Sequence, residues 1–130
     1  MVSGKVLKNR SAEVQKIVKA YFDGMQVYAE KPDEALGYMA KQADISTEEM
    51  KTAMAGARLF SIADNHAAFH EQAEDYSYLP YTAKETAKFL LDQKMVSEEL
   101  KDPESIFDSS YIDKLYEDAV DMKVPDTQVE

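Results

Sequence analysis

From Ser11 to about residue 30 the apolar side chains Val14, Ile17, Val18, Tyr21, Met25, Tyr28 and Ala29 return every three or four positions. That interval is the period of a helix with one face turned to a core, and it does not suit a strand, whose side chains alternate between two faces. The spacing predicts a helix over 11–30. Pro32 then suits a first helical position, and Asp33 and Glu34 favour the positive end of a new helix dipole. Ser46 with Glu49 three residues on forms a capping box, and Gly56 marks a stop.

"ARLFSIADN" has no clear period and reads as a connection into a helix starting near Asp64. "YLPYTAKETAKFLLDQKMV" sets Ala83, Ala87, Leu90 and Leu91 on one face after a proline start. A short turn capped by Ser97 follows. A last helix then begins after Ser109 or Ser110, with Tyr111, Ile112, Leu115, Tyr116 and Ala119 inward. Only "MVSGKVL" has the residue types of a strand, and it is short for one. The chain is therefore expected to be mainly α, with about five to six helices: residues 1–122 as a single helical domain or fragment and 123–130 as a flexible C-terminal tail.

Composition narrows the function classes. Hydrophobic residues at 45% and charged residues at 31% fit a globular chain, and no apolar run approaches the roughly 20 residues of a membrane helix. Absence of cysteine removes disulfides, thiolate nucleophiles and thiolate metal ligands. Net charge is −10, unevenly spread: residues 1–96 carry 12 basic and 14 acidic groups, and residues 97–130 carry 3 and 11. Phosphate backbones and anionic membranes need clustered Lys and Arg, so nucleic acid is not an expected partner. Gly4, Gly24, Gly37 and Gly56 stand apart from one another, which leaves no Gly-rich phosphate loop.

"DNHAAFHEQAED" holds the two histidines of the chain. On a helix His66, His70 and Glu74 would share a face, and three such ligands could hold zinc with water in the open position. The zinc-protease helix needs His-Glu-x-x-His, whereas His70 to Glu74 reads HEQAE and lacks the second histidine. Histidines one turn apart are common on acidic surface helices, so His66 and His70 are read as solvent-facing or partly packed side chains, and no metal or cofactor is assigned. Glu48, Glu49, Glu98 and Glu99 lie at helix starts, where capping explains them, so no catalytic residue is assigned either. Tyr76, Tyr78 and Tyr81 crowd a proline turn, a composition able to line a ligand or partner surface.

The order of segments resembles the C-terminal part of substrate-binding proteins of ABC importers of the nitrate, sulfonate and taurine type, whose fold the thiamine-precursor proteins share. The resemblance rests on Ala20-Tyr21-Phe22, Lys31-Pro32-Asp33-Glu34-Ala35, Ser46 to Glu49, Leu59-Phe60 before Ala63-Asp64-Asn65, Phe89-Leu90 and Phe107-Asp108-Ser109-Ser110-Tyr111. Departures are Asn9-Arg10-Ser11, where Asn-Pro is frequent, and Lys31, where Asn is common. It implies a two-lobed, non-catalytic α/β protein in the periplasm that closes on a small solute and delivers it to a permease. This chain would be the helical cover of one lobe, with "MVSGKVL" as the stump of a strand, Asp64 or Asn65 as an N-cap, Phe69 inward between water-facing His66 and His70, and the ligand-binding residues unknown. Helices shaped to cover a sheet expose apolar faces when alone, so the isolated chain is expected to form a homo-oligomer or to hold a partner polypeptide. The rival expectation is a stand-alone helical interaction module, and a more distant one is a hydrolase built on His66 and His70.

Overall fold

The computed structural model describes residues 2–72 and 74–118, and within them every regular element is helical. Helix α1 spans Gly4–Asn9, α2 Ser11–Glu30, α3 Pro32–Ala43, α4 Thr47–Ala55, α5 Ile62–His70, α6 Leu79–Asp92 and α7 Ser110–Asp118, with a 3-10 turn at Pro103–Ile106. The expected strand stump is helix instead. The Ser3 hydroxyl accepts the Val6 amide hydrogen, so a local cap supplies what a two-faced strand partner would otherwise have to provide. The expected tail at 123–130 lies outside the described residues.

Local signals place the first half of the molecule. Helix α2 has the expected limits, and α3 starts on Pro32. Helix α4 opens on a complete capping box, in which Glu49 N–H donates to Ser46 Oγ at 3.2 Å and Ser46 N–H donates back to Glu49 at 2.8 Å. Gly56 is its C-cap. Between α3 and α4, Asp44 takes the left-handed conformation that terminates helices and that aspartate tolerates better than most side chains.

Helix α2 is the organising rod. Its Phe22 and Met25 join Ile62 of α5 and Ile112 and Leu115 of α7 in the core, with Val18, Leu59 and Phe69 packed around them. Two polar contacts tie α7 to the start of α2: Gln15 donates to the Tyr111 carbonyl, and Ser11 Oγ lies 3.0 Å from the Tyr111 hydroxyl. On the other flank α3 packs against α2 and α4 through Ala35, Leu36 and Ala40, while α6 lies against α5 and the 3-10 turn.

The sequence stripe on α2 is only partly the buried one. Val14, Phe22 and Met25 are inside, whereas Ile17 is 70% exposed and Tyr21 57% exposed. The helix carries two apolar rows, 14-18-22-25 and 17-21-24-28, and both have helical spacing. Periodicity cannot rank them; only the arrival of α5 and α7 does.

Candidate functional site

Two places concentrate unexplained chemistry. The first is an open apolar groove of about 450 Å³ between α2, α3 and α4, lined by Tyr21, Gly24, Met25, Tyr28, Ala35, Tyr38, Met39, Met54 and Leu59 among others. Much of the second α2 row faces it. The lining is short of charged and hydrogen-bonding groups, so the groove suits an apolar surface better than a polar solute. Exposure of Tyr38 at 66%, with Ile17 and Tyr21, continues the apolar character over its rim.

The second place is the junction of α5 with α7. Helix α5 begins two residues earlier than its sequence suggests, because Ser61, not Asp64 or Asn65, is the N-cap. Ser61 Oγ accepts the Asp64 amide hydrogen at 2.8 Å, and the Asp64 carboxylate accepts the Ser61 amide hydrogen at 2.8 Å. The hydroxyl of Ser61 also donates to that carboxylate at 2.6 Å. Asn65 clamps the preceding connection by donating to the Phe60 and Ser61 carbonyls. This capping box uses aspartate in place of the usual glutamate, and the apolar neighbours Phe60 and Ile62 hide it in the sequence.

One turn later the histidines are partly packed, and do not simply face water as the resemblance implies. His66 is half-buried, with its ring stacked on Tyr116 at a centroid distance of 3.9 Å and an interplanar angle of 11°. His70 remains exposed, but its Nε2 lies 2.7 Å from Asp113 Oδ1 on α7. Neither imidazole is a plain solvent-facing side chain. Glu74 does not continue their face, since α5 ends at His70 and Glu71 is its C-cap. Asp113 takes the third place instead: ligand atoms of His66, His70 and Asp113 all lie within 4.8 Å of one another. Sequence reasoning missed Asp113, which is 43 positions from His70. Its local signal was the aspartate four residues after Ser109, whose hydroxyl donates to Asp113 Oδ2 at 2.8 Å.

The electrostatics favour an ionised Asp113. Desolvation at the junction pushes its carboxyl upward, yet hydrogen bonds from His70 and Ser109, with the nearby imidazoles, outweigh that and hold it below the ordinary carboxylate range. Asp64 is likewise lowered, chiefly by the Ser61 hydroxyl and then by the Ser61 amide, and Glu49 is lowered in the same way by Ser46. A carboxylate with a depressed folded-state pKa contributes stability above its unfolded value, and that contribution is lost as pH falls through the folded value. Shedding negative charge toward the pI of 4.6 works in the opposite sense by relieving self-repulsion. Melting temperature is therefore expected to change little from neutral pH down to about 5 and to fall steeply below about 4. Circular dichroism melts across that range check this, and Ser61→Ala should flatten the acid limb; an unchanged melting point at about pH 3 would contradict the assignment.

Near this junction Tyr76 and Tyr81 meet edge to face with centroids 5.8 Å apart, and Tyr76 is 71% exposed. Tyr76 lines a groove of about 410 Å³ together with Arg58, Phe60, Asp64, Asn65 and Leu79 among others, and the Arg58 guanidinium lies over the Phe60 ring. No helix among the described residues is long and apolar enough to cross a membrane. In comparisons with known proteins, the chain matches no family model, no curated protein and no solved structure.

Proposed function

We propose that this chain is a non-catalytic helical cover of a periplasmic solute-binding protein of the ABC-importer class, in which the α2–α3–α4 groove lies against the rest of the lobe. The observation that carries the reading is that open apolar groove on the organising helix. Packing points the same way, because no large side chain among the described residues is fully buried while Ile17, Tyr21 and Tyr38 stay open. In this reading the cover is helical through α1, and the sheet belongs wholly to the remainder of the two-lobed protein.

The resemblance in segment order supplies the family; the groove supplies the reason such a piece needs a larger body. Immunoblotting the source cell with an antibody against this segment tests both. The reading expects, in the osmotic-shock fraction, one polypeptide well over twice 14.7 kDa. A cytoplasmic polypeptide of 14.7 kDa would overturn it in favour of a stand-alone interaction module, for which the exposed Tyr76 beside Tyr81 is the best available contact.

A further inference from the structure

We propose that His66, His70 and Asp113 form a binding site for a divalent transition-metal cation of the zinc type, which clips the end of α5 to the first turn of α7. The three donors come from two helices that already pack together, and their ligand atoms lie within 4.8 Å of one another. Two ligand atoms each about 2.1 Å from a tetrahedral zinc stand roughly 3.4 Å apart. The present 2.7 Å between His70 Nε2 and Asp113 Oδ1 must open modestly to admit the ion, and these two side chains must approach the His66 donor. Rotation of the short aspartate side chain and of the half-exposed His70 can provide this, since neither is locked in the core.

The donor set selects the cation. Two imidazole nitrogens and one carboxylate oxygen suit borderline ions such as zinc. Calcium and magnesium favour oxygen-rich shells, and copper(I) favours the thiolates this chain lacks. Support from outside the ligand set is present too: Ser109 holds Asp113 Oδ2, and the Tyr116 ring fixes the plane of His66. Partial exposure of His70 and Asp113 leaves room for water at a remaining coordination position. The acidic surroundings, with Asp108, Glu117 and Asp118 on or beside α7, raise the local concentration of cations.

The test is calorimetric titration of the full chain with zinc chloride at raised salt, which suppresses loose association with the acidic surface. Cobalt(II) absorption serves as a second readout, because a tetrahedral site with nitrogen ligands gives intense visible bands. The expected result is one saturable ion per chain. Affinity should drop on the order of 100-fold in His70→Ala and Asp113→Asn, and roughly tenfold in Ser109→Ala, which leaves all three ligands in place. Glu74→Gln should bind like the parent. Each variant's fold is checked by circular dichroism, and Ser109→Ala with the cobalt spectrum decides the matter if a ligand variant is unfolded. No saturable binding by the parent overturns the site. So does full parental affinity in folded Asp113→Asn, which would reduce it to a histidine pair on one helix. These readouts do not depend on whether the chain covers a transport protein.

Discussion

Phe22→Ala is expected to lower stability by about 3–5 kcal/mol, the largest effect of any single truncation in this chain. Phe22 is 4% exposed and sits where α2, α5 and α7 converge, against Met25, Ile62, Ile112 and Leu115. Removal of the ring withdraws its own apolar surface from the core and leaves a cavity that three separate helices must move to close. At roughly 3–5 °C of melting temperature per kcal/mol for a chain of this size, the drop is about 10–20 °C. Tyr21→Ala is the control: its neighbour in sequence is 57% exposed and should change stability far less. A thermal or denaturant melt of both variants checks the prediction; equal losses would mean that both apolar rows of α2 are covered alike, and a larger loss in Tyr21→Ala that they are occupied the other way round.

Leu36→Ala should cost about 2–5 kcal/mol by the same mechanism in the other flank of the molecule. Leu36 is 4% exposed between Ala35 and Ala40, which let α3 approach α2 and α4 closely. Small neighbours cannot fill the space a leucine leaves, although the adjoining groove offers room for partial collapse and favours the lower part of the range. The two losses should differ in where they appear. Hydrogen exchange in Leu36→Ala is expected to accelerate first in α3 and α4, whereas Phe22→Ala should expose α5 and α7 as well. Uniform acceleration through all helices in both variants would show instead a single cooperative unit.

The groove, the core and the His66–His70–Asp113 cluster all meet the same organising geometry. Helix α2 turns one apolar row toward α5 and α7 and leaves much of a second row in the groove beside α3 and α4. On the side where the core closes, α7 brings Asp113 to His70 and Tyr116 to His66. On the side where it stays open, the molecule keeps the apolar surface that supports its reading as a cover for a larger body.

What the sequence determined by itself is the helices after α1 and most of their limits. Ser11 to Glu30, the start at Pro32, the box of Ser46 with Glu49 and the stop at Gly56 all stand where local spacing puts them. These features rest on interactions between residues three or four positions apart, so the information is present in short windows. The same locality explains the errors. Valine and leucine in "MVSGKVL" suggest a strand only if a neighbouring strand exists, and Ser3 caps a helix without one. Tertiary structure alone decided which row of α2 is covered, that His66 rests on Tyr116, and that Asp113 rather than Glu74 stands with the histidines. Each depends on residues tens of positions apart meeting across a packed interface, and helical periodicity carries no record of which surface will arrive.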